Sequence, residues 1–409
     1  MLCQFTFENF RAFRDSSLLD FYADDVSEHS ETLLTDVEGD RFLPVISIFG
    51  PNSGGKSTVL DALLCLKTIV VRNRVLYGSD CTDDERAALR NMVERYSGPQ
   101  YYLFRRDASD VPTKFEIVFR HGGYEYSYAI SLLGNIIETE DMYCRKLGKD
   151  SFQLLFDRNR EEIEIGELLP VSTPEKLSET TPFFTFLSNT YRIEVLDNAM
   201  DWFMSIRNVD YDVPGRDKLF NLPGEGKDLD AIERLLEDMD IPIKGFRVEE
   251  EDGKIRKLYT IHEVDGDRYE LDYDMESSGT RKVISCLSLV WEALREGRML
   301  IADELDAKLH PYIIRYLIGL FTDPTINRNK AQLLLTSHDL VNMDSSVFRR
   351  DEIWFSTKTI DSCSRLYALS SFRDEHGDMP RKDAKFSKRY MEGHYGADPF
   401  ISKTIRWEV

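Results

Sequence analysis

The chain has 409 residues, 42% hydrophobic and 31% charged, which excludes a disordered protein and is enough for two or three structural units or one large α/β domain with insertions. Acidic residues outnumber basic ones by 73 to 52, a net charge of −21, so nucleic acid cannot be bound through the overall field and needs a local basic patch. Six widely spaced cysteines without a CxxC pair, no secretory leader and no apolar run of about 20 residues predict reduced thiols in a cytoplasmic protein without a membrane span.

Residues 1–14 alternate around Phe5, Phe7, Phe10 and Phe13 and predict a first strand with a turn at Glu8–Arg11. A polar, acidic stretch follows to about residue 40. The apolar run 42–49 (FLPVISIF) predicts a buried strand ending at Gly50, and the spacing of Val59, Leu60, Leu63, Leu64 and Leu66 predicts a helix over 57–71. A charged helix is expected over 80–96. From 113 to 168 short alternating segments, with turns at Gly122-Gly123 and Gly134-Asn135, predict antiparallel strands.

Helices are expected around 183–206 and 228–239, separated by breaks at Pro214-Gly215 and Pro223-Gly224, and two strands at about 245–273. An α/β rhythm then returns: helix 280–296, strand 298–302, helix 311–321, a strand at 332–335 and a last one near 353–355. The expected organisation is an N-terminal lobe (1–170) with an antiparallel β subdomain, a mainly helical insertion (171–244) and a C-terminal lobe (245–409).

Gly50-Pro51-Asn52-Ser53-Gly54-Gly55-Lys56-Ser57 fits G-x-x-x-x-G-K-[ST] between a strand and a helix. The glycines let backbone N–H groups close around phosphates, and Lys56 reaches the β- and γ-phosphates. Ser57 can ligate Mg2+ where it and Thr58 open the helix. ATP binding is the expectation this motif carries. Hydrolysis further needs a carboxylate for the metal and a group to deprotonate water. Met299–Glu304 ends an apolar strand in Asp303, expected in the magnesium shell, and Glu304, expected as the base. His338, closing the next strand in Thr336-Ser337-His338-Asp339, is expected to sense the γ-phosphate or water, since ligands gather at the carboxyl ends of parallel strands. Ser277-Ser278-Gly279-Thr280 opens the 280–296 helix and makes a second anion site. With the P-loop already cradling phosphates, that second site is expected to cover the γ-phosphate of a nucleotide held by another copy.

These four elements in this order resemble the ATP-binding-cassette ATPases of the SMC/RecF type, and Phe7-Glu8-Asn9-Phe10-Arg11-Ala12-Phe13 is similar to that group's N-terminal strand and turn. Within the group the sequence is most similar to small bacterial defence ATPases of the overcoming-lysogenisation-defect, AbiL/RloA and PARIS/AriA kind. The residues behind this are Ser277–Thr280, Asp303–Pro311, Thr336–Asp339 and Arg389–Ala397. The resemblance implies an α/β P-loop fold of ABC type, with a mixed sheet and an antiparallel β subdomain. It also implies a head-to-tail homodimer, or a higher even oligomer, with two ATP molecules sandwiched between P-loop and signature helix, and Asp306 as an interface residue. Two departures stand out: Ser53 occupies a position that is commonly glycine, and Ser277–Arg281 differs from Leu-Ser-Gly-Gly-Gln. Gln100 is the candidate for the Q-loop glutamine.

The reading expected from the sequence is an ATPase subunit of an antiphage defence system that works with a separate effector protein, a nuclease, because no nuclease domain or Toprim-like acidic cluster follows the last strand. The alternative is a RecF-like DNA-repair ATPase, for which the only basic patch is Arg381, Lys382, Lys385, Lys388 and Arg389. A structural ATP clamp without turnover and a transporter subunit are less favoured. Arg256–His262 has the Arg/His spacing of some ribonucleases but reads as a strand.

Overall fold

A computed structural model of the chain describes all residues except 78–82, 97, 99, 150, 161, 210–225, 252–253, 308, 374–376, 378, 382–383 and 398–409. The Pro214-Gly215 and Pro223-Gly224 breaks, Lys308 of the Asp303–Pro311 motif and Lys382 of the basic patch lie outside the described residues.

The chain opens with β1 (Leu2–Glu8), β2 (Ser17–Asp20), the short pair β3 (Leu34–Thr35) and β4 (Arg41–Phe42), and β5 (Val45–Phe49). Helices α1 (Lys56–Tyr77) and α2 (Asp83–Arg95) precede five strands: β6 (Thr113–His121), β7 (Tyr124–Leu133), β8 (Ile136–Lys146), β9 (Gln153–Asn159) and β10 (Glu162–Ile165). There follow α3 (Phe183–Thr190), α4 (Glu194–Ser205), β11 (Arg207–Val209), α5 (Gly226–Asp238), and the strands β12 (Phe246–Glu251), β13 (Lys254–Val264) and β14 (Asp267–Asp272). The C-terminal part comprises α6 (Ser278–Glu296), β15 (Met299–Ala302), α7 (Pro311–Thr322), β16 (Gln332–Thr336), β17 (Ile353–Lys358), β18 (Ser364–Ala368) and α8 (Phe386–Met391).

The expected α/β P-loop architecture is the one found. A six-stranded sheet in the order β11-β15-β16-β5-β17-β18 has β11 through β17 parallel and β18 antiparallel at its edge. Its central strands are apolar runs buried on both faces, as parallel sheets require. Alternate residues serve two cores. Ile46, Ile48, Ile301 and Leu334 face α1 and the seven-stranded antiparallel sheet β10-β9-β8-β7-β6-β1-β2. Val45, Phe49, Leu300, Leu333 and Leu335 face α5, α6 and α7. Buried Gln332 stitches the two sheets together: its Oε1 accepts from Leu2 N at 2.6 Å and its Nε2 donates to Leu2 O at 3.0 Å.

Several expected elements divide differently. The 42–49 run is two strands, because Pro44 has no N–H to continue the ladder; its carbonyl instead accepts from Leu333 N at 2.8 Å. The 183–206 helix breaks at an extended Tyr191, giving α3 and α4. The described residues of 171–244 do not stand apart as a helical insertion: α3 and α4 pack into the core under the antiparallel sheet, and β11 joins the six-stranded sheet. Residues 245–273 form three strands, since Asp265-Gly266, with φ of 55° and 87°, makes the tight hairpin turn between β13 and β14. The strand near 353–355 runs on to Lys358 and turns back as β18.

Glu140 on β8 fastens α3 to the antiparallel sheet. It accepts from the first N–H groups of α3, Phe183 N at 2.6 Å and Phe184 N at 3.0 Å, and from Tyr128 Oη at 3.0 Å. Burial pushes this carboxyl up to about 7, against the pull of those N–H groups and of Arg158. Replacing Glu140 by Ala strips α3 of its cap and leaves the Tyr128 hydroxyl without its acceptor. Urea denaturation of Glu140→Ala should report a loss of roughly 3 kcal/mol, and a loss well under about 1 kcal/mol would contradict the capping role.

Candidate functional site

The site is built where β5, β15 and β16 end. After Phe49 the chain turns through Gly50 (φ +148°), Ser53 (φ +64°) and Gly55 (φ +100°) before α1 begins at Lys56. Close backbone approach dictates the glycines. A Cβ on Gly50 or Gly54 would stand 2.0 or 2.5 Å from the Ser356 carbonyl oxygen of β17, and one on Gly55 would stand 2.7 Å from Ser364 Oγ. The Ser356 hydroxyl donates to Gly54 O at 2.9 Å and pins the loop to the sheet. Ser53 adopts the left-handed conformation that glycine takes readily and serine takes at a cost. Asn52 and Ser53 are exposed at the loop's tip.

Lys56, 7% exposed, donates from Nζ to Gly50 O at 3.0 Å and Pro51 O at 3.2 Å, so its ammonium spans the loop. Burial holds its pKa below the ordinary lysine value, opposed by the charges of Glu304, Asp303 and Asp306. Ser57 and Thr58 are half-buried in the first turn of α1.

Asp303 lies beside that turn. Its Oδ1 accepts from Ser57 Oγ at 3.1 Å and from Thr336 Oγ1 at 2.5 Å. Thr336 also accepts from Glu304 N at 2.7 Å, which holds Glu304 at φ +46° with its side chain exposed. Such a conformation is uncommon for a residue other than glycine. Asp306 meets the other strand end: its Oδ2 accepts from His338 N at 3.0 Å, while its buried Oδ1 has no hydrogen-bond partner. The His338 imidazole is exposed. The Ser57 hydroxyl and an Asp303 carboxylate oxygen, 3.1 Å apart, are oxygen donors of the kind that could hold a magnesium ion.

Ser277 caps α6 by accepting from Thr280 N at 3.1 Å; Ser277 and Ser278 are exposed and Gly279 is half-buried. Lys282, one turn further on, donates from Nζ to Glu304 O at 3.3 Å and to Ala307 O, so α6 is bonded to the turn that carries Glu304. Gln100 accepts from Arg11 Nε at 2.9 Å through its Oε1, and Arg11 pairs with Asp61 of α1. Arg381, Lys385, Lys388 and Arg389 are exposed, but the chain carrying them is not a free arm. Tyr390 and Tyr395 stack on Phe355 of β17 with centroids 5.6 and 5.4 Å away.

The sequence reading assigned no role to Thr336, Ser356, Ser364 or Lys282, which shape the site from positions remote in the chain. Thr336 stood in the quoted Thr336–Asp339 motif, and its place as the last residue of a buried strand was the available signal. A second convergence of carboxylates, Asp36, Glu38 and Asp40, is taken up by arginine. Arg120 pairs with Asp36 and with Asp40 at 2.7 Å, and Arg145 with Glu38 at 2.7 Å.

The glycine contacts generate opposite expectations for adjacent positions. Gly54→Ala, whose methyl group collides with backbone, should weaken ATP binding by at least about 100-fold in a titration at equilibrium, a loss of about 2.7 kcal/mol. Ser53→Gly relieves a left-handed serine worth roughly 1 kcal/mol and should leave ATP affinity equal or higher. A fall in affinity on Ser53→Gly would show that the hydroxyl itself contributes to binding.

A family model, that of the AAA domain described as a putative AbiEii toxin of a type IV toxin–antitoxin system, matches residues 45–344, from β5 to beyond His338. No curated protein matches the chain. Among solved structures it is similar to the SMC head domain from Thermotoga maritima, at 14% identity and a TM-score of 0.42 over 90% of this chain and 98% of that one. It is also similar to an Smc head domain with an extended coiled coil bound to the C-terminal domain of ScpA, derived from Pyrococcus furiosus. That match has 11% identity and a TM-score of 0.45 over 90% and 96% of the two chains. Among the described residues no helix is long and apolar enough to cross a membrane. With its P-loop, its Asp303–Glu304 strand end and a match over most of its length, the chain belongs to this AbiEii-type family of AAA domains, P-loop ATPases by fold.

Proposed function

We propose that the protein hydrolyses ATP between two copies of itself, as the ATPase subunit of an antiphage defence system in which a separate effector, a nuclease, does the damage. The observation that carries the ATPase reading is the meeting of Ser57 and Thr336 on one Asp303 carboxylate oxygen, with Glu304 N bonded to that same threonine hydroxyl, next to a lysine-spanned phosphate loop. The defence assignment is supported by the wording of the family's description, a putative AbiEii toxin of a type IV toxin–antitoxin system, and by the sequence resemblance to defence ATPases.

In this reading the N–H groups of Gly54, Gly55, Lys56 and Ser57 cradle the phosphates, with Asn52, Ser53 and Thr58 completing the loop around them. Magnesium held by Ser57 and Asp303 would supply neutralisation of the charge on the β- and γ-phosphate oxygens. The Glu304 carboxylate orients a water molecule and takes its proton as the water oxygen bonds to the γ-phosphorus. The bond from that phosphorus to the bridging oxygen breaks, and ADP leaves with the electron pair. His338 stands beside the transferred phosphoryl group, held at its backbone by Asp306. The exposed Ser277 and Ser278 and the half-buried Gly279 reach the γ-phosphate bound by the partner copy, with Asp306 near the same interface. ATP then links subunits that otherwise repel, since each carries a net −21.

Lys56→Ala should weaken ATP binding by roughly 100-fold or more. Glu304→Gln should retain ATP, lose turnover by roughly 10²–10⁴-fold and accumulate a dimer. Light scattering with and without ATP checks the dimer. A Glu304→Gln protein that turns over ATP at the parent rate, or whose mass does not respond to ATP, refutes the sandwiched hydrolysis site. Association with the product of a neighbouring nuclease gene tests the defence role separately.

A further inference from the structure

The Arg256–His262 segment has no part in the nucleotide chemistry above, yet its histidine is not idle. It lies on β13 within the three-stranded sheet, with its side chain directed at the residue that precedes the signature helix. His262 Nε2 stands 2.6 Å from Glu276 Oε1, and Thr260 Oγ1 donates to the same oxygen at 2.6 Å. The Glu276 side chain is only 8% exposed, so this carboxylate depends on those two groups of one strand for its hydrogen bonding. The next residue is Ser277, the N-cap of α6.

The same helix is held at two further points. Tyr273, just before Glu276, donates its hydroxyl to Arg281 O at 2.9 Å, and Lys282 binds the carbonyls of Glu304 and Ala307. One side of the α6 N-terminus is thus bonded to β13, the other to the turn that presents Glu304. Deleting a bond in that chain leaves the P-loop untouched but frees the orientation of Ser277, Ser278 and Gly279.

We propose that His262 is a positioning residue: through Glu276 it fixes Ser277, Ser278 and Gly279 in the arrangement that meets the γ-phosphate on a second copy, so that the β12–β14 sheet sets how readily the ATP-bound dimer closes. The proposal rests on the sandwich reading above. It differs from a purely stabilising role in what it predicts. A stabilising pair, once lost, lowers the melting temperature and leaves the turnover of folded protein intact, whereas a positioning residue changes kcat and dimerisation while the ATP affinity of the single subunit stays the same.

The test uses the full chain with ATP and magnesium, measuring melting temperature, ATP affinity of the monomer, steady-state ATPase rate and, in the Glu304→Gln background, dimer dissociation. His262→Ala should keep monomer ATP affinity within about twofold while kcat falls and dimer dissociation rises, each by about tenfold. His262→Gln places an N–H donor near the same point and should restore kcat to within about threefold of the parent. A folded His262→Ala protein with parental kcat and dimerisation overturns the proposal, as does failure of His262→Gln to recover activity at a normal melting temperature. Should His262→Ala not fold, Thr260→Val decides. It keeps the strand's shape and removes one of the two bonds, so parental kcat and dimerisation in it also overturn the proposal. Ser278→Glu separates the two levels. If it still forms the ATP-dependent dimer, the sandwich reading falls and the role of His262 with it. If it abolishes the dimer while His262→Ala behaves as the parent, only the role of His262 falls.

Discussion

Asp303 Oδ1 accepts two hydrogen bonds, one from the first turn of α1 and one from the last residue of β16. The donors, Ser57 and Thr336, lie far from Asp303 and from each other in sequence, and three strand ends must be in register for both to reach one oxygen. That register comes from β15, β16 and β5 lying side by side and parallel, with Ala302 opposite Leu335 and Thr336 opposite Ile48. The apolar faces of these strands feed two separate cores, so sliding any one of them by a residue would exchange the faces. The energetics of the fold therefore specify the geometry of the site, and no loop has to find it independently.

The same arrangement accounts for the cost carried by the site. Glu304 sits at positive φ, and the compensating bond is its own N–H to the Thr336 hydroxyl, the group already bound to Asp303. One threonine thus orients the carboxylate beside Ser57 and stabilises the strained residue after it. A strained, exposed carboxylate next to a half-buried, hydrogen-bonded one is the division of labour expected when one acid ligates a cation and its neighbour handles water. Ser53 carries a similar conformation at the tip of the phosphate loop without an equivalent bond in the described structure. Its replacement by glycine is therefore expected to be tolerated, whereas Gly54 is confined by backbone.

The sequence made legible what is local and chemical. The P-loop announces itself because glycines, lysine and serine must be consecutive to wrap a phosphate. Asp303 and Glu304 were picked out because an apolar strand ends just before them; in the structure Asp303 lies beside the first turn of α1 and Glu304 is bonded to Thr336 at the end of β16. Contacts made across the sheet were not legible. Nothing near Ser356 in the chain says that its carbonyl lies against Gly50 and Gly54, and nothing near Lys282 says that it binds the Glu304 turn. Some misreadings had local causes that could have been weighed. Pro44 should have split the 42–49 run, and Asp265-Gly266 signalled a hairpin. The division of 183–206 into α3 and α4 was harder. Both halves are amphipathic, and the extended Tyr191–Ile193 link carries no glycine or proline. The segment 171–244 hides a sheet strand because β11 has only three residues, Arg207–Val209, too few for a period to show.

His262 shows how such remote contacts can matter for activity. In the sequence it stood in a pattern that suggested nuclease chemistry; in the fold its nitrogen meets a carboxylate that no solvent reaches freely. The carboxylate belongs to the residue before a helix cap, and the helix is bonded further along to the turn that carries Glu304. Displacement at β13 can therefore reach Ser277 through Glu276, and reach Glu304 through Lys282, without crossing the P-loop. In the proposed dimer, two subunits of net charge −21 gain little from general attraction, so its closure would depend on a few groups being placed correctly before they meet. A rigid α6 N-terminus lowers the ordering cost of that meeting, and loosening it raises the cost without altering the affinity of either half-site for nucleotide. On the proposed reading, a small sheet remote from the phosphate loop would in this way govern turnover while leaving binding alone.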